Sequence, residues 1–237
     1  VITALVKTPL NSTQTGLERI EAVQFRRGFA PLSAPDVLKT LQNLPGVAGG
    51  TELLNGLYVR GGTGSDNIYS LDGVPLYGVS HLAGLYSSFN TDVTDVVNFY
   101  KSGFPARYGG RLSSVVDVGV RDGNMTEYKG SATIGLINGS VQFEGPIVKD
   151  RTSFNVGLRR SWLDVLSVPG FAIYNKLFKS DMGARYAMTD LNAKLTHMLN
   201  QDSHLRLNLY TGRDIAGFAM DYAVGAEQAL STSNGED

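Results

Sequence analysis

The chain has 237 residues, enough for one or two domains with a sizeable core, and its 21 Lys and Arg nearly cancel its 22 Asp and Glu. That balance removes the electrostatic case for a nucleic-acid partner, and the absence of cysteine removes disulfides and thiolate metal sites. His81, His197 and His204 lack ligand spacing, no run of about 18 apolar residues offers a spanning helix, and no signal-peptide pattern opens the chain. The expectation is either a cytosolic protein or a chain that begins after processing.

Val1-Ile2-Thr3-Ala4-Leu5-Val6 is a short β-branched run. Such a run either frays as a terminal strand or pairs with the sheet edge of another protein. Ser33-Ala34-Pro35-Asp36 reads as a helix start, with Ser33 as the cap, and Val37, Leu38, Leu41 and Leu44 follow at helical spacing. Pro45-Gly46 stops this helix after about ten residues.

Leu57 to Gly62 reads as a strand entering a glycine-rich turn, and Asn67 to Leu71 as a second strand. Asp72-Gly73 is then a type I′ hairpin turn, which needs positive φ at both central positions. Pro75 cannot donate to a ladder, so the strand from Val74 is an edge or very short. Gly61-Gly62-Thr63-Gly64 and Gly109-Gly110-Arg111 lack the Gly-x₄-Gly-Lys-Ser/Thr pattern that cradles phosphate.

Ser80 beside His81 invites a hydrolase reading, but Leu82 stands where a nucleophile elbow needs glycine. No catalytic residue is assigned, and the stretch from Gly78 to Asn90 reads as an exposed aromatic loop of the kind that contacts ligands. Asn90-Thr91-Asp92 caps a single helical turn. Val96 to Tyr100 and Leu112 to Arg121 are strands, with Val116, Val118 and Val120 on one face of the second. Arg60 and Arg111 sit beside glycines and Arg107 two residues from one, either as solvated surface or as forks for carboxylates of a surrounding structure.

After Asn124 the rhythm changes to period two. Ala132, Ile134 and Leu136 alternate with polar or small residues before Asn138-Gly139, read as a turn, and Val141 to Ile147 follows. Phe154, Val156 and Leu158 alternate next, leading to Trp162. Beyond an irregular stretch from about Ser167 to Ala184, Leu191, Ala193, Leu195, Leu205, Leu207 and Leu209 do the same. Two architectures fit: a soluble sandwich with the apolar face inward, or a membrane barrel with it outward. Strand lengths near the nine to eleven residues that cross a bilayer favour the barrel. So do Trp162, Tyr186 and Tyr210 near strand ends and charges such as Arg159, Lys194 and Arg206 on the polar face. Five or so strands cannot close a barrel, so this reading makes the chain part of a longer one, with Glu227 to Asp237 as an outer loop.

Four motifs then stand in order: Leu44-Pro45-Gly46-Val47, Tyr58-Val59-Arg60-Gly61-Gly62, Leu71-Asp72-Gly73-Val74-Pro75-Leu76 and Lys101-Ser102-Gly103-Phe104-Pro105-Ala106-Arg107-Tyr108-Gly109-Gly110-Arg111-Leu112-Ser113-Ser114. Together they resemble the plug of TonB-dependent outer-membrane receptors in the form typical of Bacteroidetes, and Gly145 to Leu163 is similar to the first barrel hairpins of that family. The resemblance implies an α+β plug domain followed by antiparallel transmembrane strands, part of a plugged barrel of about 22 strands. It divides the chain into an N-terminal segment (1–16), a plug (17–125) and first barrel strands (126–237).

The implied protein is not an enzyme and carries no metal or other cofactor. It imports a siderophore, vitamin B12, a glycan or a peptide across the bacterial outer membrane, with its N-terminus in the periplasm. The alternative is a receptor-like subunit of a larger outer-membrane assembly. Implied partners are TonB, outer-membrane lipids, the nutrient and a surface lipoprotein lid. Val1, Ile2, Thr3 and Ala4 are similar to a TonB box. Tyr77, His81, Tyr86 and Phe89 are expected to face the ligand chamber, and Arg60, Arg107 and Arg111 to pair with the barrel wall.

Overall fold

The computed structural model describes residues 14, 16–26, 35–51, 54–179 and 182–220. The N-terminal domain contains β1 (Leu17–Glu21), α1 (Ala22–Arg26), α2 (Val37–Gln42), β2 (Val47–Thr51) and β3 (Leu54–Val59). It continues with β4 (Asn67–Leu71), β5 (Val74–Pro75), β6 (Ser80–His81), β7 (Tyr86–Ser87), β8 (Thr94–Tyr100) and β9 (Ser114–Val120). Its main sheet has the order β1-β8-β9-β4-β5, with β4 parallel to β9. Val97, Phe99, Val116 and Val118 from this sheet meet Leu38 and Leu41 of α2 and Leu57 and Val59 of β3 in one apolar core.

The apolar stripe of α2 packs as its spacing predicts, but the helix is six residues long rather than about ten. Its cap is Asp36, not Ser33, which lies outside the described residues. The Asp36 carboxylate accepts from the backbone N–H groups of Leu38 and Lys39 at 2.8 and 3.2 Å, satisfying two donors of the first turn. The turn after β4 adopts φ +50° at Asp72 and +81° at Gly73, the two positive values a type I′ turn demands. Two-residue β5 is an edge strand, as Pro75 requires.

The C-terminal region is an antiparallel meander of β10 (Lys129–Ile134), β11 (Asn138–Val148), β12 (Thr152–Ser161), β13 (Met182–Met198) and β14 (His204–Met220), paired in sequence order. Residues 149–151 and 199–203 turn the chain at one end of this wall. At the other end lies α3 (Leu163–Phe178), between β12 and β13 and packed against β13.

Two sequence expectations are corrected here. The β10–β11 turn is residues 135–137, and Asn138-Gly139 opens β11 because Asn138 is buried against the interior while Trp162 packs over Gly139. Most of the stretch read as irregular from about Ser167 to Ala184 belongs to the sixteen-residue α3, which tolerates Pro169 inside it, and Met182 to Ala184 already open β13.

Burial decides between sandwich and barrel. Most buried side chains of the wall are polar, among them Ser140, Gln142, Asn155, Arg159, Asp190, Asn192, Lys194 and Thr196, beside the apolar Ala187 and Met188 of β13. The exposed ones are apolar, among them Val141, Phe143, Leu158, Leu205, Leu207 and Leu209. A soluble sandwich does the reverse; a wall with hydrocarbon outside and a polar interior gives this pattern. Trp162 lies on the outward side, its ring over outward-facing Gly139 and its Nε1 donating to Leu136 O at 2.8 Å. Tyr186 and Tyr210 lie within the long strands β13 and β14 on the inward face rather than at strand ends, because those strands run on to Met182 and Met220.

Candidate functional site

The inward face of the wall closes on the N-terminal domain through fixed charges. Arg159 of β12, 4 % exposed, donates Nε and Nη2 to Asp190 Oδ2 at 3.0 and 2.7 Å. The same guanidinium donates to Ser87 O at 2.5 Å and Phe89 O at 3.4 Å. One wall arginine thereby holds two backbone carbonyls of the loop around β7. A planar fork with several donors is suited to that task where a lysine is not.

His81 sits beside this pair. Its Nδ1 is 2.6 Å from Asp214 Oδ1, and its Nε2 lies 2.9 Å from Asp190 Oδ1, an ion-pair contact rather than an aligned hydrogen bond. Tyr210 Oη donates to Asp190 Oδ1 at 3.0 Å. An imidazole facing carboxylates through both nitrogens is best satisfied as the imidazolium, with two N–H donors. Burial works against that charge, but Asp190 and Asp214 outweigh it and raise the His81 pKa above its ordinary value.

A second cluster ties the wall to the Asp72-Gly73 hairpin and to the segment leaving β9. Lys194 Nζ donates to Val120 O at 2.6 Å and lies 3.3 Å from Asp72 Oδ1 and 2.9 Å from Asp122 Oδ1. Arg206 forks onto Asp122 through Nε and Nη2. Despite the cost of burial, Arg206 and Lys194 hold the Asp122 carboxyl below the usual carboxylate range. Asp72, Asp122, Lys194, Arg206 and Asn208 border a cavity of about 620 Å³ between the domain and the wall. Nearer β11, Arg121 Nε is 3.3 Å from Glu144 Oε2, Ser140 Oγ donates to Asp92, and Ser153 Oγ donates to Asp122 O at 2.8 Å.

The geometry sorts the expected site residues. Tyr77 is 90 % exposed at the loop after β5, as a ligand-facing side chain must be. His81, Tyr86 and Phe89 are buried, so the expectation that they face a ligand chamber is corrected: His81 is held by wall carboxylates and Phe89 is part of the apolar core. Burial raises the Tyr86 hydroxyl pKa. Arg60 donates to Ser102 Oγ at 3.0 Å, and Arg107 stacks over the Tyr108 ring and donates to Tyr100 Oη at 3.4 Å. Arg111 is exposed beside Asp66. Among the described residues these three arginines touch no wall carboxylate. Residues 1–4 and 227–237 lie outside the described residues.

The polar-face charges Arg159, Lys194 and Arg206 were legible from alternation. Their partners Ser87, Asp72, Asp122 and Asp190 were not, nor was Asp214 as the partner of His81, since nothing in local sequence distinguishes them from solvated residues. Ser80 gains no catalytic base, because both ring nitrogens of His81 face carboxylates. Among the described residues no cluster of His, Asp or Glu is arranged to hold a metal ion.

The profile of the TonB-dependent Receptor Plug Domain matches residues 9–116. No curated protein matches the sequence. Among solved structures, the siderophore receptor PirA from Pseudomonas aeruginosa superposes with a TM-score of 0.58 at 14 % identity, over 86 % of this chain and 36 % of its own. The copper transporter OprC gives 0.59 at 13 %, over 87 % and 32 %. The RagAB peptide importer in its closed-closed state gives 0.57 at 12 %, over 89 % and 32 %. The chain thus spans about a third of the length of the structures it matches.

Proposed function

We infer, from a chain that belongs to the TonB-dependent outer-membrane receptors and carries their plug followed by the first barrel strands, that the whole protein imports a scarce nutrient, with the charged interface between plug and wall as its gate. The observation that carries this reading is the chemistry of the interface. An apolar contact between plug and wall would resist parting, because opening it exposes apolar surface at roughly 25 cal/mol per Å². A hydrogen-bonded contact exchanges its partners for water at a net of about 0.5–1.5 kcal/mol each. Arg159, His81, Lys194 and Arg206 therefore hold the plug in register while leaving it separable under a pull.

In this reading Val1–Ile2–Thr3–Ala4 pairs as an added strand with TonB, whose pull reaches the plug through β1. Tyr77 contacts the incoming ligand. Arg60, Arg107 and Arg111 pair with carboxylates of the remaining wall. The substrate class is that of the similar structures: a metal chelate, a metal ion or a peptide.

The test is complementation with the full-length receptor in cells lacking it, supplied with iron–siderophore, copper or peptide as the limiting nutrient. Growth restored on one of them, lost on deletion of residues 1–4 while that ligand still binds, supports the reading. Growth on none, or growth indifferent to the deletion, overturns it.

A further inference from the structure

Across β11 to β14 the outward face carries no acidic residue, since Glu144, Asp190 and Asp214 all point inward. It carries three arginines, Arg160, Arg185 and Arg213. Pairing places Arg160 of β12 and Arg213 of β14 on either side of Thr189 of β13. Their Cα atoms are therefore two strand spacings apart, roughly 10 Å. Arg185 lies on the same face four residues further along β13, roughly 13 Å away. Arg160 contacts Asp164 of α3 at 2.9 Å, whereas Arg185 and Arg213 have no ion-pair partner among the described residues.

Aromatic side chains fix the depth of this cluster. Tyr128, Phe143 and Phe154 form a stacked and tilted group on the outward face near the 149–151 turn, with ring centroids 5.6 to 6.4 Å apart. Trp162 marks the other end, over Gly139. Phe154 and Trp162 are eight residues apart. That is roughly 26 Å along the strand and roughly 20 Å across a bilayer at a tilt near 40°, close to the apolar band of a barrel wall. Arg160 is two residues from Trp162, so Arg160 and Arg213 lie at the headgroup level. There an outward arginine costs about 0–1 kcal/mol, against about 2–4 at the midplane. Beside them α3 exposes Val165, Ile173 and Leu177, apolar surface that acyl chains can cover.

We propose that Arg160, Arg213 and Arg185 form a binding site for a phosphorylated lipid on the outer surface of the wall at the α3 rim. The two arginines abreast fit a headgroup bearing two phosphates. A guanidinium binds phosphate through paired charge-assisted hydrogen bonds, and among the described residues this face offers no competing carboxylate beyond Asp164. The inference rests on the wall facing lipid and not on import.

The test is native mass spectrometry of the full-length receptor taken from phosphatidylcholine vesicles doped with bisphosphorylated lipid A. Wild type retains the doped lipid, and the Arg160→Gln/Arg213→Gln double variant retains it roughly thirtyfold more weakly. The Arg160→Lys/Arg213→Lys variant, which keeps both charges, retains most of it. Heat-modifiable mobility in gels verifies that each variant is a folded barrel. Equal retention by wild type and the glutamine variant overturns the proposal, as does equal retention of dephosphorylated lipid A. Displacement of the lipid by inorganic phosphate at matching concentration also overturns it, because the site would then serve the free ion. Because retention is read without transport, a receptor that imports nothing still answers the question.

Discussion

In the plug, the side chains that make up the core are apolar, among them Val97, Phe99, Val116 and Val118, with no charged residue in the cluster. A few ångströms away, the wall shuts in Gln142, Asn155, Arg159, Asp190 and Lys194 and turns Val141, Leu158 and Leu207 outward. One chain thus obeys two opposite burial rules, because each region is built for a different solvent on its far side. The plug needs an apolar interior of its own before it can sit in a polar lumen. The wall borrows its interior from the plug and spends its apolar face on lipid. The contact between them is polar on both sides and therefore separable.

Changes on opposite sides of this inversion should test it. Arg159→Ala leaves Asp190 buried without its guanidinium and frees the carbonyls of Ser87 and Phe89. We expect a loss of about 3–5 kcal/mol in plug docking, read as faster hydrogen exchange around residues 86–90 with the barrel still intact. Phe99→Ala empties the plug core and should cost about 3–4 kcal/mol by denaturant unfolding of the plug while β11 to β14 keep their protection. Equal loosening of the wall by that variant would mean the two regions share one core, contrary to the comparison.

Val156→Arg, on the outward face near the middle of β12, should cost about 2–4 kcal/mol of barrel stability in bilayers. No such penalty in lipid would show that this face meets water. The smallest effect concerns pH. Because Asp190 and Asp214 raise the His81 pKa above the unfolded value, its contribution is fully present below about pH 6.5 and is lost as pH rises through the folded value. Protection in the 80–90 loop, taken relative to the intrinsic base-catalysed exchange rate at each pH, should therefore fall from neutral to alkaline pH, and His81→Gln should abolish that fall.

Much of this was legible in the chain because it rests on local rules. Asp72-Gly73 announced its turn, Pro75 its edge strand, and the alternation of β12 to β14 its two faces. Alternation cannot say which face is inside, since the period is the same for a sandwich and a barrel. Only contact with the plug settles that. Asn138-Gly139 misled because a turn dipeptide also serves at a strand start where Asn138 is buried and Gly139 makes room for Trp162. Pro169-Gly170 hid α3 for the same kind of reason. The misplaced ligand residues are the most instructive. His81, Tyr86 and Phe89 look like an exposed aromatic loop in sequence, yet their partners lie up to 133 residues away in the chain.

The most direct test of the inversion places single spin labels at chosen wall positions, within 237 residues that hold no cysteine of their own and with any cysteine elsewhere replaced by serine. Labels placed one at a time at Leu158, Leu191 and Leu209 and at Asn155, Asn192 and Asn208 of the full-length receptor in bilayers would be probed with oxygen and with a water-soluble relaxer. Oxygen should reach the leucine positions and hardly reach the asparagine positions, alternating residue by residue along the strands. Equal access of the water-soluble relaxer to the leucine positions would show that the apolar face is not in lipid, and would contradict the inversion.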